Sequence, residues 1–239
     1  MGRWVLLIFL MGAIAACTSS ETVEADNASD STEHSTTAKP TQQQGSLPTA
    51  PVNSTTTVPK LSVDQSPWKT INGNGVRLDV PGAYEGGNPS TEYDALVTKL
   101  QAIDPKYAQR LEAIADNPEV SALLAFDMQD RDSDFLTSVN IATEAIAANV
   151  TLEDYVQTAS RQLAKAYDIQ SQSVIPVGSY RAGQIVGTIE NNNTLFKQLF
   201  YMIPHQGRMW IVTYSTGAEA FETRLNEFTQ SIQTIQLAP

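Results

Sequence analysis

Apolar and polar positions divide the chain into three regimes. Val5 to Ala16 is a continuous apolar run behind the basic Arg3, Thr18 to about Ser66 is almost wholly polar, and from Trp68 apolar residues return in periodic order. The first run is too short to span a bilayer as a helix, which takes about 20 apolar residues, and it has the layout of a secretory signal. The second is rich in Thr, Ser, Gln, Asn and Pro. Such a segment buries too little apolar surface to offset its ordering entropy, so it is expected to be a disordered tether. Treated as a flexible coil, its 49 residues reach about 40 Å.

The third regime, residues 67–239, predicts one domain. Val76, Leu78 and Val80 alternate ahead of Pro81-Gly82, a short strand entering a turn. Tyr93, Leu96, Val97, Leu100 and Ile103 then follow helical spacing, and Asp104-Pro105 restarts a second helix that carries Tyr107, Leu111 and Ile114 and ends by Asn117-Pro118. Leu124, Phe126 and Met128 alternate, as do Val139 and Ile141 with polar Ser138 and Asn140 between them. The polar stretch Gln129 to Asp134 joins these two strands as a hairpin loop.

Thr151 and Asp154 make a capping-box-like start to a third helix. Its apolar stripe is Leu152, Tyr155, Val156, Ala159, Leu163, Ala166 and Tyr167. Strands are predicted at Val174 to Val177 or slightly longer, at Ala182 to Ile189 and at Leu195 to Ile203. A further strand, with Trp210, Val212 and Tyr214 on one face, follows the turn Pro204-His205-Gln206-Gly207. Thr216 and Glu219 read as a second capping box, and Phe221, Leu225, Phe228 and Ile232 line a final helix. Tight turns force antiparallel pairing. The predicted class is therefore α+β, an antiparallel sheet with one face covered by amphipathic helices.

The strand ending in Val80-Pro81, the pair ending in Ser138-Val139-Asn140-Ile141, the Leu152-Glu153-Asp154-Tyr155 helix, a meander, and an aromatic strand before a terminal helix together resemble the PsbP-like superfamily, which includes LpqN-type bacterial lipoproteins. The resemblance spans about residues 67 to 237. It implies a PsbP-like sandwich and a mostly non-catalytic domain that binds proteins or small molecules at membranes.

Composition narrows the choice of partner. The net charge is -11, and residues 67–239 hold 20 acidic and 12 basic residues, or -8. That balance opposes nucleic acid and anionic lipid surfaces. Attachment to a membrane would have to come from a lipid. Ile14-Ala15-Ala16-Cys17 resembles a bacterial lipobox, which would make residues 1–16 a signal peptide and Cys17 the diacylglycerol-modified, palmitate-type anchor. The alternative is an ordinary signal with Cys17 left as a thiol. A chain with one cysteine has no internal disulfide, so the domain stands on its hydrophobic core.

Chemistry-bearing motifs are sparse. Asp130, Asp132 and Asp134, with Asp127 before them, match the opening ligands of a calcium loop. However, Phe135 stands where the turn glycine belongs and Ile141 where the closing glutamate belongs. The plainer reading is a solvated hairpin tip partly balanced by Arg131, so no metal is expected. His205, the domain's one histidine, sits in a predicted turn, and a hydrolase would need it buried beside an acid and a hydroxyl. Gly183 and Gly187 make no phosphate loop, since no Gly-Lys-Ser/Thr follows. Trp210, Tyr214, Phe200 and Tyr201 would mark a cleft if two or more were exposed.

No cofactor and no enzymatic activity are expected. The leading expectation is a lipid-anchored, extracytoplasmic accessory domain on a bacterial plasma or outer membrane, with an unidentified protein partner. The alternative is a carrier of an apolar ligand held between the sheet and the 91–116 helices, lined by Leu96, Leu100, Tyr107 and Leu111.

Overall fold

The computed structural model describes residues 67–105, 107, 111, 121–130, 135–191 and 194–239. Two antiparallel sheets form, and the strands follow the alternation of the sequence. β1 (Trp68–Asn72) and β2 (Val76–Pro81) make a hairpin, and β10 (Gln236–Leu237) pairs with the far side of β2. The larger sheet takes β3 (Tyr84–Gly87), β4 (Ser121–Asp127), β5 (Ser138–Ala145), β6 (Asp168–Val177), β7 (Tyr180–Asn191), β8 (Thr194–His205) and β9 (Arg208–Gly217). Its order is β3-β4-β5-β9-β8-β7-β6, antiparallel throughout. β8 and β9 meet at Gln206-Gly207, both with positive φ (49° and 71°), the conformation that a two-residue hairpin requires.

Three helices have both ends described: α1 (Pro89–Gln101), α2 (Leu152–Leu163) and α3 (Phe221–Gln233). Asn88 caps α1, its side chain accepting from Ser90 N at 3.0 Å, with Pro89 in the first turn. Pro105, Tyr107 and Leu111 are helical, whereas the remainder of the second predicted helix, including Ile114 and Asn117-Pro118, lies outside the described residues. Thr151 caps α2 as its sequence predicts, accepting from Asp154 N at 3.1 Å and donating to its carboxylate at 2.7 Å. The helix ends at Leu163, so Ala166 is exposed in the following turn while Tyr167 stays buried.

Both faces of the seven-stranded sheet are covered. On one face Val139, Ile141, Leu199, Tyr201, Val212 and Tyr214 meet Leu78 and Val80 of the small sheet and Phe228 and Ile232 of α3. On the other face the helices divide the sheet. α2 lays its stripe on Ile185, Phe200, Met202 and Ile211, and α1 packs Leu96 and Leu100 near Leu124 and Phe126. Gly183 explains how closely α2 approaches. A Cβ there would collide with Val156 Cγ2.

The antiparallel sheet packed against amphipathic helices is the expected α+β class, and the small sheet and α3 cover its second face as well. β4 is buried at all seven positions, and the polar residues Ser138 and Asn140 of β5 are buried as well. Asn140 belongs to a set of buried polar groups that pair with one another. Ser121 Oγ donates to Asn140 Oδ1 (2.6 Å), Gln198 Nε2 to Ser215 Oγ (2.7 Å), and Tyr167 OH to Gln198 Oε1 (2.6 Å). A buried polar group without such a partner would cost about 1–3 kcal/mol.

The second predicted capping box does not form. Thr216 is the penultimate residue of β9, and its buried hydroxyl pairs with Thr137 Oγ1 at 2.8 Å. A 3-10 turn, Ala218–Ala220, then leads into α3, which starts without a side-chain cap. β6 also runs longer than its apolar stretch, because β7 pairs with it from Asp168 to Val177.

Candidate functional site

Among the described residues, a group of charges gathers where Arg224 and Glu227 of α3 reach Asp127 of β4. Tyr84 of β3 is the register partner of Asp127. One turn of α3 brings Arg224 and Glu227 above them. Arg224 Nη1 lies 2.7 Å from Asp127 Oδ2 and 3.3 Å from Glu227 Oε2, and Arg224 Nη2 lies 4.0 Å from Asp130 Oδ2. Asp127 also accepts from Gln129 N at 3.0 Å, and Asp130 accepts from the backbone and hydroxyl of Thr137. The Tyr84 hydroxyl is buried facing Glu227 but forms no hydrogen bond of standard geometry.

The electrostatics follow from that crowding. Burial pushes the Glu227 carboxyl above its ordinary range, Arg224 opposing and Asp127 reinforcing the shift. Burial also raises the Tyr84 phenol well above its usual value, aided by Glu227 and Asp127. For Arg224 burial acts to lower the value, but Glu227, Asp127 and Tyr84 outweigh it, and the guanidinium is held above the arginine range. Tyr84 is thus a neutral phenol and Arg224 a fixed cation. Arg224 pairs with Asp127 and Glu227, and the cluster acts as an ionic clamp between α3 and the sheet.

This arrangement changes the reading of the acidic loop. Asp127 is 3% exposed and paired with Arg224, so it lies in the fold and not at a solvated tip. Asp132, Asp134 and Arg131 lie outside the described residues. The partner that neutralises Asp127 is 97 positions away on another helix (224 − 127), and no local spacing announces it. Among the described residues, no three His, Cys, Asp or Glu side chains are placed to hold a metal ion.

His205 ends β8, half-buried. Its Nε2 meets the Ala238 carbonyl oxygen at 3.1 Å, and its ring stands edge-on to Tyr180 at 5.7 Å. Neither contact is an acid, so the His205-centred triad does not assemble and the imidazole instead pins the C-terminal segment. Trp210, Tyr214, Phe200 and Tyr201 are all buried, which removes them as an exposed aromatic cleft. Leu96, Leu100, Tyr107 and Leu111 do come together, buried in one cluster with Leu124, Phe126 and Leu136. Cys17 lies outside the described residues.

A second place of interest was not marked by any motif. Between α2 and β6 runs an open groove of about 330 Å³, lined by Glu153, Asp154, Val156 and Gln157 on the helix and Gln172, Ser173 and Val174 on the strand. No described helix is long and apolar enough to cross a membrane.

No protein-family model matches the chain, and no curated protein matches it in sequence. Solved structures do resemble it. LpqN of Mycobacterium tuberculosis, involved in cell envelope biogenesis, aligns at 12% identity over 74% of this chain and 88% of its own, with a TM-score of 0.47. Cyanobacterial PsbP from Synechocystis sp. PCC 6803 aligns at 9% identity over 74% of this chain and 95% of its own, also at 0.47. A protein of unknown function from Pseudomonas aeruginosa aligns at 16% identity over 44% and 74%, at 0.40. The likeness is one of architecture and says nothing of function.

Proposed function

We propose that the chain is a lipid-anchored accessory protein of a bacterial envelope. In this reading Cys17 carries the acyl anchor, residues 18–66 hold the domain off a plasma or outer membrane, and the domain binds a protein partner without catalysing a reaction. The observation that carries it is the Ile14-Ala15-Ala16-Cys17 run closing an apolar segment, followed by a long polar stretch before β1 begins at Trp68. Lipobox processing supplies two or more acyl chains, enough for firm attachment where a single chain is marginal.

The non-catalytic part is supported by the ionic clamp, whose charges are committed to one another. It is supported further by a histidine engaged with a backbone carbonyl. Carriage of an apolar ligand between α1 and the sheet has less support. Leu96, Leu100, Tyr107 and Leu111 make their apolar contacts within the protein.

Fractionation of cells expressing the chain tests the anchor. Cys17→Ser should move the protein from the membrane pellet to the soluble fraction, and an unchanged pellet would overturn the reading. Co-purification from the native membrane should then recover a partner that the Cys17→Ser chain no longer captures.

A further inference from the structure

The seven-stranded sheet has two edges, and they are guarded very differently. β3 is four residues long, and its Glu85 holds Lys69 at 2.7 Å and Lys99 of α1 at 2.6 Å. A short, charged edge resists pairing with other chains. β6 is ten residues long and carries no charge from Ile169 to Val177. Gln170, Ser171, Gln172 and Ser173 are exposed, and among the described residues β6 has a strand partner only on its β7 side. An irregularity between Ile169 and Ser171 and Pro176 near the other end leave 171–175 as an uninterrupted pairing stretch.

We propose that this edge pairs with β6 of a second copy, antiparallel about a two-fold axis close to Gln172 and Ser173. The first reason for a second copy is the strand itself, which carries no charge from Ile169 to Val177, so two copies of it can lie side by side without like charges opposite each other.

The second reason lies on α2. Leu152 and Val156 sit over Gly183 and Tyr167 lies beside Gly187, so α2 runs along β7 and antiparallel to β6. Its exposed stripe of Asp154, Gln157 and Arg161, continued by Lys165, is acidic at the start and basic at the end. A two-fold axis beside β6 sets the acidic end of one helix opposite the basic end of the other. Three strand spacings separate the two helix axes, about 14 Å. That is wider than the 8–10 Å of direct packing but within reach of paired Arg and Asp side chains. The third reason is the groove between α2 and β6, which has the apolar Val156 and Val174 in its wall. A second copy closes it.

Cys17 is the chain's one cysteine, so the full chain carrying Cys17→Ser is free of thiols. In mild detergent, sedimentation velocity should show a concentration-dependent dimer. Gln172→Lys and Gln172→Glu should each raise its dissociation constant several-fold, because the axis brings like charges together. An equimolar mixture of the two variants should restore dimerisation, with circular dichroism confirming that both fold. On the same background Ser173→Cys should cross-link on oxidation, whereas Asn226→Cys on α3 should not.

A monomer at every concentration would overturn the proposal, as would a dimer indifferent to Gln172 or a Ser173→Cys chain that does not cross-link. A chain that dimerises only when residues 18–66 are deleted would assign the edge to that segment and overturn it equally.

Discussion

α2 and α3 are similar in length and both amphipathic, yet they are held in place by different means. α2 begins with its own cap at Thr151 and rests its apolar stripe where Gly183 lets it lie close. α3 begins without a cap and is secured by contacts from distant parts of the chain. Arg224 reaches Asp127, Ser231 Oγ donates to the Asp79 carbonyl at 2.6 Å, and Thr234 Oγ1 accepts from Asp79 N at 2.9 Å. A helix of this length is marginal alone, so either route must supply stability from outside the helical hydrogen bonds. The comparison separates signals written in neighbouring residues from those that exist only once the chain is folded.

The largest test of that contrast is Phe228→Ala. Phe228 is 1% exposed, stacked on Tyr214 at 4.9 Å and edge-on to Phe221 at 6.4 Å. Its truncation should cost about 3–5 kcal/mol in urea unfolding, against less than about 0.5 kcal/mol for Asn226→Ala on the exposed side. Equal urea midpoints would show that α3 is peripheral. Next in size is Gly183→Ala, which drives a methyl group into Val156. A loss of about 1–3 kcal/mol is expected, and its absence would mean that α2 can shift without penalty.

Smaller still is the difference between the two predicted caps. Thr151→Ala should cost about 1 kcal/mol. Glu219→Ala should stay within about 0.5 kcal/mol, since Glu219 caps nothing in the structure. Comparable losses at both sites would restore the second capping box.

The smallest effects depend on pH. The folded Glu227 carboxyl is raised by burial, so its contribution is complete below the unfolded value near 4.5 and is lost as pH rises through the folded value. Glu227→Gln should therefore gain on the natural chain as pH rises from the unfolded carboxylate range through the folded value. Glu85 has the opposite sign. Hydrogen bonds from Lys69 and Lys99 lower it, so its contribution is present above 4.5 and fades as pH falls through the folded value. Glu85→Gln should be weaker than the natural chain at neutral pH and equal to it in acid. Thermal midpoints across the range would reveal either sign reversed.

The same contrast marks what a reader of the sequence can see. The strands carrying Val76 to Val80, Val139 and Ile141, and Trp210 to Tyr214 are legible because alternation is a local property, and so are the stripe and cap of α2. β3 is not legible, since four residues ending in two glycines form no pattern. Ser138 and Asn140 mislead because a period of two reports which residues share a face, not whether water reaches it. Thr216 followed by Glu219 fits a cap in spacing alone, and the Thr137 hydroxyl claims it instead. The clamp was half visible. Asp127 and Asp130 stand out in the sequence, but Arg224 becomes their partner only through the path of the chain.

The pairing of β10 with β2 joins the two ends of the domain. The meander from β6 to β9 closes through tight connections, whereas the small sheet and α3 depend on contacts such as Asp79 to Thr234, 155 residues apart. Closing so large a loop is slow and becomes favourable only when its ends already have surfaces to join. The meander is expected to form first, with α3 and the C-terminal strand arriving last as a latch. Substitutions at Ile232 should then hasten unfolding while leaving the refolding rate almost unchanged, the kinetic signature of a contact made after the transition state. Until the latch closes, the apolar side of the β1–β2 hairpin stays uncovered, and a chaperone that recognises such surfaces would have its longest opportunity there.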